Sequence, residues 1–353
     1  MASTAPEQAS FLENLGVLEG ESAKARDLED RECTLRKREG FLCRLTPLSS
    51  GKRANVVRKI MLRQDWLRTH FRDEAGRFFG YFREPRIEFL PTYRIDKTTT
   101  TKYDLAKKAH GRYPGYADRI MATADVELVP ASYQSWNVMG SDHLPVSVDM
   151  AYENVRVVTY NCGGKDVALT NLWNHVLKAH GDRTLVLCLQ EVERPQKRSS
   201  IVPESVAKAF RAKVFMRCGD RIPYLQSRLS SFAQAIVVLT PRSDPPLRVY
   251  RVSACRSSNW LATKGWLYAD IDTPRSEMPM RVYCMHAPFV DEATTRRFFA
   301  ALERDVTRFR RDTLGAVPVV IAGDLNSRSV PDDLPYAKNV RRCPGPCTRA
   351  KVG

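Results

Sequence analysis

The chain of 353 residues lacks several features that would place it in other classes of protein. No apolar run approaches the roughly 18 residues that a membrane-spanning helix needs. Residues 1–10 contain no basic segment followed by an apolar one, so the sequence predicts no secretory signal and a cytoplasmic protein. The nine cysteines are odd in number and irregularly spaced, which indicates reduced thiols instead of a disulfide scaffold.

Signs of a structural metal clip or a repeat architecture are also scarce. Cys343 and Cys347 flank a Pro-Gly-Pro turn, but no second cysteine pair accompanies them, and structural zinc usually takes four ligands. The sequence contains no internal repeat and no low-complexity linker. With 43% hydrophobic and 27% charged residues, the composition is typical of a soluble globular protein.

The net charge of +16 favours an anionic partner: nucleic acid, an acidic membrane surface or a polyphosphorylated small molecule. The charge is uneven. Residues 1–150 carry 24 basic and 21 acidic side chains, whereas residues 151–353 carry 32 and 19. A solvated basic surface without a specific ligand would give the same totals, so charge alone does not choose among these possibilities.

Hydrophobic periodicity predicts an alternation of helices and strands. Residues 1–45 are a charged arm, helical or disordered. Helical spacing predicts a helix over residues 56–71 that Gly76 closes, and residues 78–89 read as extended chain. Further helices are predicted over 172–179, 205–212 and 292–313, and strands over 184–189, 232–239, 266–271, 281–285 and 317–322.

A β-hairpin is predicted where Ser-Asp-His closely precedes Thr-Tyr-Asn. Residues 144–150 and 155–159 alternate apolar and polar side chains, and turn-compatible residues join them. The start of the first strand and the end of the second then lie at the same edge of the sheet. His143 and Asn161 should therefore emerge side by side.

Polar side chains follow several predicted strands. Asn161 and Glu191 each end one strand, His286 ends another, and Asp324 with Asn326 follows the last. Amide and carboxylate oxygens suit Mg²⁺, which takes few protein ligands and keeps water for a substrate phosphate. Histidines and a further Asp/Asn pair suit phosphate binding and orientation of an attacking water. The combination predicts metal-assisted phosphoester hydrolysis.

Six short motifs together resemble the inositol polyphosphate 5-phosphatases of the endonuclease/exonuclease/phosphatase superfamily. They are Val157-Val158-Thr159-Tyr160-Asn161, Leu189-Gln190-Glu191-Val192, Gly323-Asp324-Leu325-Asn326, Phe89-Leu90-Pro91-Thr92-Tyr93-Arg94, Pro114-Gly115-Tyr116-Ala117-Asp118-Arg119-Ile120 and Ser141-Asp142-His143-Leu144-Pro145-Val146. The resemblance covers about residues 56–328. It implies an α/β fold, a four-layer α/β/β/α sandwich of two mostly antiparallel sheets.

The order of the motifs departs from the family. The three motifs that come last in the family come first here, so the chain is either a circular permutation or a segment cut across two tandem copies. Under the permutation, residues 46–330 form one phosphatase domain. Residues 46–150 then correspond to the family's C-terminal half and 151–330 to its N-terminal half, and 331–353 form an irregular tail.

The resemblance also implies a role for each matching residue. Glu191 and Asn161 would hold Mg²⁺, with Asp142 close to the metal. Asp324 would orient or deprotonate the attacking water, and Asn326 would fix that water or phosphate oxygens. His143, held in its tautomer by Asp118, would contact the scissile phosphate, and His286 would donate a hydrogen bond to phosphate.

Substrate contacts are implied for five basic residues. Arg94 stands where the family usually has Lys, and Lys264 matches an Asn-Lys-Gly motif whose Asn is missing here. Lys107, Lys108 and Arg112 lie in the loop with which relatives grip neighbouring ring phosphates. The partners implied are inositol phosphates or phosphoinositide headgroups, with an acidic membrane surface as a further possibility.

The resulting hypothesis is a monomeric, Mg²⁺-dependent enzyme that removes the 5-phosphate from inositol polyphosphates or phosphoinositides, located in the cytoplasm or peripherally at membranes. Two alternatives stay open: a nuclease of the same superfamily, and a phosphoinositide-binding remnant without activity. A nuclease fits the basic charge, but the motifs Pro91-Thr92-Tyr93 and Pro114–Ile120 argue against it, and an aromatic-rich basic stripe that stacks bases is nearly absent, so nucleic acid is not the expected partner. Asp118 and Arg119 could also be a plain structural ion pair, and His286 a structural histidine.

Overall fold

The computed structural model describes residues 65–97, 103, 114–151, 153–193, 201–218, 232–245, 247–256, 264–272, 279–288 and 292–327, and helical positions at 55, 58, 61 and 62. The predicted arm over residues 1–45 and the tail over 331–353 lie outside the described residues. No helix in the described part is long and apolar enough to span a bilayer.

Four helices and twelve strands are named here in chain order. The helices are α1 (Trp66–Phe71), α2 (Asp166–Ala179), α3 (Glu204–Ala209) and α4 (Glu292–Asp312). The strands are β1 (Phe82–Arg83), β2 (Asp118–Thr123), β3 (Gln134–Ser135), β4 (Val146–Asp149), β5 (Val155–Asn161), β6 (Thr184–Glu193), β7 (Phe210–Cys218), β8 (Phe232–Pro241), β9 (Val249–Arg256), β10 (Gly265–Ile271), β11 (Met280–His286) and β12 (Val319–Asp324).

The strands form two six-stranded sheets. The first has the order β1-β2-β12-β11-β10-β9, and the second has the order β3-β4-β5-β6-β8-β7. Each contains one parallel pair, β11 with β12 and β5 with β6, and the other neighbouring strands are antiparallel. Both sheets therefore combine strands from the first 150 residues with strands from the rest of the chain.

Three apolar layers hold the sheets and helices together. Between the sheets, side chains such as Val157, Ile236 and Val320 are fully buried in one cluster. Helix α2 packs on the outer face of the second sheet, where Leu172 is buried. Helix α4 covers the outer face of the first sheet and buries Phe299. The layers run α/β/β/α, which confirms the predicted fold class.

The predicted hairpin is confirmed, but the predicted helix over 205–212 is partly wrong. In the hairpin, β4 and β5 are antiparallel, with Val146 opposite Thr159. Helix α3 ends at Ala209 and β7 begins at Phe210, because every residue of β7 pairs with β8. Cross-strand pairing here outweighs local helical preference.

The segment from residue 56 to residue 89 also differs from prediction. Asp65 interrupts the predicted helix because its side chain accepts a hydrogen bond from the Arg68 amide at 2.9 Å and caps α1. The helix ends at Phe71, before Gly76. In the predicted extended stretch over 78–89, the described strand is only Phe82–Arg83.

A buried ionic network anchors β2 on its outer face. The Arg119 guanidinium is fully buried and donates to both carboxylate oxygens of Glu84 and, at 2.9 Å, to Asp65. Tyr133 donates its hydroxyl to Glu84 at 3.0 Å. Burial alone would raise the pKa of Glu84, but Arg119 and then Arg68 outweigh it and lower that pKa below its usual value. Removing one partner would leave a buried charge uncompensated.

We predict that Glu84→Gln lowers the free energy of unfolding by about 3–5 kcal/mol at neutral pH, because Arg119 then lacks one of its two buried counter-charges. Since the pKa of Glu84 is lowered on folding, its contribution is complete above the ordinary value of 4.5 and is lost as the pH falls through the folded pKa. The difference between wild type and variant should therefore shrink below pH 4.5, as measured by urea unfolding at several pH values.

Glu292→Gln is the matched control, because Glu292 pairs with Arg296 on the exposed surface of α4. An exposed pair of this kind contributes at most about 0.5 kcal/mol. Equal losses of stability in the two variants, or a difference for Glu84→Gln that stays constant with pH, would contradict the account of the buried network.

Candidate active site

The C-terminal ends of β11 and β12 bring the first catalytic candidates together. In the parallel ladder His286 lies beside Asp324, and in the antiparallel ladder on the other side Asp118 lies beside Asp324. Gly323 permits this close approach, since a Cβ there would lie 2.3 Å from the Met285 carbonyl oxygen. The strand register thus places three titratable side chains at one edge of the first sheet.

The hairpin delivers His143 and Asn161 to the same place from the second sheet. The Ser141 hydroxyl donates to the Asn161 carbonyl at 2.7 Å, and the His143 amide donates to the Ser141 hydroxyl oxygen at 3.2 Å. Ser141 therefore ties the start of the first hairpin strand to the end of the second. The predicted juxtaposition of His143 with Asn161 is found in the structure.

Asp324 lies at the centre of the cluster. Its Oδ2 accepts a hydrogen bond from the Asn161 side-chain amide at 2.9 Å and lies 3.5 Å from His286 Nε2 and 4.0 Å from His143 Nε2. Its Oδ1 accepts from the backbone amide of Asn326 at 2.9 Å. The side chains of Asp324, Asn161, His286 and His143 are buried, whereas Asn326 is not, so the buried groups interact with little screening by water.

Asp118 orients His143 from the far side of the imidazole. His143 Nδ1 lies 2.9 Å from Asp118 Oδ2, and the Thr92 hydroxyl donates to that same oxygen at 2.8 Å. The Tyr93 ring packs on the His143 ring at 4.5 Å between centroids. Burial disfavours the charged imidazole, but Asp118 and then Asp324 outweigh it and raise the pKa of His143 to about 10.

Asp118 does not pair with the neighbouring Arg119. Adjacent residues of a strand point to opposite faces of the sheet, so Asp118 faces His143 while Arg119 faces Glu84. The alternative of a plain Asp118–Arg119 ion pair is therefore wrong.

Burial makes Asp324 a stronger base than a surface carboxylate. Burial raises its pKa most, His143 opposes the rise, and Asp118 adds to it, so that the pKa of Asp324 lies above the usual value. A carboxylate with a raised pKa is suited to accept a proton from water near neutral pH.

A β-bulge delivers Glu191 to the site. Leu189 lies opposite Ala235, yet Val192 lies opposite Ala233, so β6 contains one extra residue, and Glu191 has a positive φ of 49°. Glu191 Oε1 is 3.4 Å from His286 Nε2 and 3.9 Å from Lys264 Nζ. Lys264 Nζ also contacts His286 Nε2.

Glu191 and Asn161 offer a donor set that fits Mg²⁺. The Glu191 side chain is 29% exposed. Within the described residues, Asn161 Oδ1 accepts a hydrogen bond from the Gly163 amide, and an amide oxygen has two lone pairs. One carboxylate with one amide oxygen is a small set, as Mg²⁺ prefers. Among the described residues, no three His, Cys, Asp or Glu side chains are grouped as a metal site.

Asp142, the third predicted metal neighbour, lies beside a lysine. Its Oδ1 is 3.3 Å from Lys97 Nζ. Burial opposes ionisation of Asp142, but His143 and then Lys97 outweigh it and lower the pKa of Asp142. Its part in metal binding stays a prediction.

Of the predicted substrate residues, the structure brings Lys264 into the site and places Arg94 at its border. Tyr93 pairs with His143 through an isolated β-bridge, and Arg94 is the next residue in the chain after Tyr93. Lys107, Lys108 and Arg112 lie outside the described residues.

The catalytic candidate Asn326 donates its side-chain amide to the Ala287 carbonyl at 2.7 Å, which fixes the Asn326 side chain beside the end of β11.

The sequence did not single out the supporting residues Thr92, Ser141 and Lys97. Thr92 and Ser141 belong to the Pro-Thr-Tyr and Ser-Asp-His motifs, so membership in those motifs was their only signal. No sequence motif indicated a role for Lys97, because only the folded structure brings Lys97 next to Asp142.

Comparisons with known proteins match parts of the chain. Residues 53–149 match the profile of the Endonuclease/Exonuclease/phosphatase family 2. The chain is 42% identical over 72 residues to the Saccharomyces cerevisiae polyphosphatidylinositol phosphatase INP53, covering 20% of this chain and 6% of that protein. It is 37% identical over 100 residues to the Schizosaccharomyces pombe inositol-1,4,5-trisphosphate 5-phosphatase 1, covering 28% and 9%.

A human relative gives the same result. Phosphatidylinositol 3,4,5-trisphosphate 5-phosphatase 1 is 38% identical over 93 residues, covering 24% of this chain and 8% of that protein. The chain thus spans less than a tenth of the length of these relatives. The resemblance to inositol polyphosphate 5-phosphatases is confirmed over the matched part of the chain, and the permuted motif order stays a prediction.

Two solved structures are similar over about half of the chain. The Caenorhabditis elegans TDP2 structure gives a TM-score of 0.35 at 17% identity and covers 50% of each chain. The human Nocturnin catalytic domain gives a TM-score of 0.31 at 14% identity and covers 44% of this chain and 55% of that one.

We predict that Gly323→Ala disrupts the site, because its Cβ would collide with the backbone of Met285 and push β12 away from β11. Overpacking of this kind costs about 1–3 kcal/mol or more. Urea unfolding should report the loss.

Gly181→Ala serves as the control, since nothing lies within 4 Å of a Cβ at that position. Its stability should change by less than about 0.5 kcal/mol. A stable Gly323→Ala protein with unchanged unfolding would show that the two strands are not in close contact at Gly323.

Proposed function

We propose that this chain is a phosphoric monoester hydrolase of the inositol polyphosphate 5-phosphatase type, dependent on a divalent metal, most simply Mg²⁺. Its substrates would be inositol polyphosphates or phosphoinositide headgroups, and the 5-phosphate would be the group removed. The sequence similarity of residues 53–149 supports the class of enzyme. The family profile ends at residue 149, so the geometry carries the rest of the proposal.

The convergence of both halves on Asp324 is the observation that carries the proposal. Asp118 and His143 come from residues 46–150, whereas Asn161, His286 and Asp324 come from residues 151–330. They form one buried cluster in which each contact is between 2.9 and 4.0 Å. A structural core gives no reason to bury two carboxylates and two imidazoles together, because burying charges is costly.

The roles follow from the contacts. Asp324 would accept the proton of the attacking water, because burial raises its pKa and Asn161 holds its orientation. His143 would bind a phosphate oxygen as a charged donor, since Asp118 keeps its Nδ1 engaged and leaves Nε2 facing the site. Lys264 and His286 add further positive or donor groups. Preorganised donors of this kind stabilise developing negative charge.

Glu191 and Asn161 would hold the metal ion. When bound, Mg²⁺ would supply charge stabilisation to the phosphoryl oxygens and help to activate water. The protein's own contribution is the bulge that aims Glu191 into the site beside His286.

We predict that Asp324→Asn lowers the rate of phosphate release from inositol polyphosphates by about 10²–10⁴-fold, because the amide cannot accept the proton. Asp312→Asn is the control, since Asp312 is exposed at the end of α4. Phosphate release would be measured with purified protein and Mg²⁺. Full activity in Asp324→Asn, or an equal loss in Asp312→Asn, would count against this role.

The same preparations separate the enzyme classes. Release of phosphate from inositol polyphosphates without nicking of plasmid DNA supports the phosphatase. Nicking of plasmid DNA that disappears in Asp324→Asn, without release of inositol-bound phosphate, would favour a nuclease instead.

We also predict that Mg²⁺ raises the melting temperature of the substrate-free protein, since a ligand that binds only the folded state stabilises it. EDTA should reverse the shift and abolish phosphate release. Glu191→Gln should remove the shift, whereas Glu193→Gln should keep it, because Glu193 lies exposed on the same strand. A shift that survives Glu191→Gln would place the metal elsewhere.

A further inference from the structure

Lys97 brings a positive charge to the edge of the candidate metal site, although it belongs to none of the six motifs. Its Nζ is 3.3 Å from Oδ1 of Asp142, the carboxylate predicted to lie close to the metal. The Lys97 side chain is 44% exposed, whereas that of Asp142 is 21% exposed. Lys97 therefore has room to move into solvent, while Asp142 stays close to the site.

The backbone before Lys97 is fixed against the Ser-Asp-His motif. The Ile95 amide donates to the Asp142 carbonyl at 2.8 Å, and the Leu144 amide donates to the Thr92 carbonyl at 2.9 Å. The Ile95 side chain is fully buried in a small cluster with Leu144. Since Lys97 follows Ile95 by two residues, the fold brings its ammonium group to Asp142.

Gly163 connects this ion pair with the proposed metal ligand Asn161. The Gly163 amide donates to Asn161 Oδ1 at 2.9 Å. A Cβ on Gly163 would lie 3.3 Å from Asp142 Oδ1 and 3.7 Å from Lys97 Nζ. The lysine ammonium, the Asp142 carboxylate and the Asn161 amide oxygen are therefore grouped around one glycine.

An ammonium group in this position and a divalent ion oppose each other. Both are attracted by the Asp142 carboxylate, and two cations at one carboxylate repel each other by Coulomb's law. The repulsion is reduced by water at a half-exposed lysine, but at distances within the Debye length it is not removed. Asp142 thus has two competing partners, the Lys97 ammonium and the metal ion.

We propose that Lys97 is a positioning residue that competes with the divalent metal for Asp142 and so sets the metal affinity of the site. This inference rests on the proposed function and on the predicted place of Asp142 beside the metal. Lys97 supplies the counter-charge of Asp142 in the metal-free protein, and its side chain withdraws into solvent when a divalent ion is bound. The site then needs a higher Mg²⁺ concentration than its oxygen ligands alone would require.

The test measures Mg²⁺ affinity on the full chain without substrate, from the melting temperature over a Mg²⁺ titration. Lys97→Met keeps most of the side-chain length and removes the charge, so it should bind Mg²⁺ about tenfold more tightly than wild type. Lys97→Gln should give the same gain. Lys97→Arg should keep the wild-type affinity, because it keeps the charge. The gain in Lys97→Met should shrink at high salt.

Lys165→Met is the matched control. Lys165 is exposed, follows Asn161 by four residues and directly precedes α2, so the variant removes the same unit of charge from the same region. Its Mg²⁺ affinity should stay within about twofold of wild type, as expected for an exposed charge. A tenfold gain in Lys165→Met would show that net charge is responsible and would overturn the role of Lys97.

Asp142→Asn tests whether the effect of Lys97 passes through Asp142. In the Asp142→Asn background, Lys97→Met should give no further gain in Mg²⁺ affinity, because the shared carboxylate is gone. A gain of the same size in that background would overturn the proposal. An unchanged or weaker Mg²⁺ affinity in Lys97→Met and Lys97→Gln would also overturn it, as would a melting temperature that Mg²⁺ shifts in none of these proteins.

Phosphate release distinguishes a failure of this inference from a failure of the proposed function. With an inositol polyphosphate as substrate, the Mg²⁺ concentration that gives half of the maximal rate should fall about tenfold in Lys97→Met. Phosphate release with the same Mg²⁺ requirement in wild type and Lys97→Met overturns the role of Lys97 alone. A gain in Mg²⁺ affinity in Lys97→Met, with no phosphate released by either protein, upholds the role of Lys97 and overturns the proposed function.

Discussion

The antiparallel ladder between β2 and β12 is the constraint on which the site depends. It joins a strand from the first half of the chain to the last described strand, and its register sets Asp118 opposite Asp324. A slip of one residue would turn every side chain of β2 to the other face. Asp118 would then leave His143, and Arg119 would enter the interior between the sheets. The ladder thus fixes both the catalytic face and the anchoring face of one strand.

That arrangement buries like charges side by side, and the structure compensates for it locally. His143 lies between the two carboxylates, 2.9 Å from Asp118 and 4.0 Å from Asp324 through opposite ring nitrogens. Its raised pKa and the raised pKa of Asp324 are two consequences of one cluster. On the other face of β2, Arg119 binds Glu84 and Asp65. The strand that carries the chemistry is therefore held by a separate ion network outside the site.

Much of this architecture could be predicted from local patterns. Alternating side chains predicted the hairpin that joins His143 to Asn161, and short polar motifs at strand ends predicted the positions of Asp324 and His286. The position of Glu191 depends on a bulge, and neither its extra residue nor its positive φ has a signal in the sequence around it. Helical preference at residues 210–212 was misleading, because pairing with β8 decides the structure there.

The long-range ion pairs of Arg119 could not be predicted from the sequence. Glu84 lies in a segment predicted only as extended, and nothing in that segment indicates a partner 35 positions away. The hydrogen-bond partners of a buried Arg depend on which strands are neighbours. Local periodicity gives the face on which a side chain lies, but the identity of the neighbouring strand comes from the folded topology.

The motif order has a physical basis in how little a sheet depends on chain connectivity. Strand pairing and core packing depend on which residues are in contact and not on the order in which loops connect the strands. Loop length changes the free energy of folding only logarithmically. Here the Leu67 amide donates to the Ser327 hydroxyl oxygen at 3.1 Å across 260 positions. The start of α1 and the end of β12 are therefore neighbours, as expected if the family chain passed directly from one to the other. The described residues of one chain supply every member of the cluster from residues 46–150 and 151–330, and the permuted order itself stays a prediction.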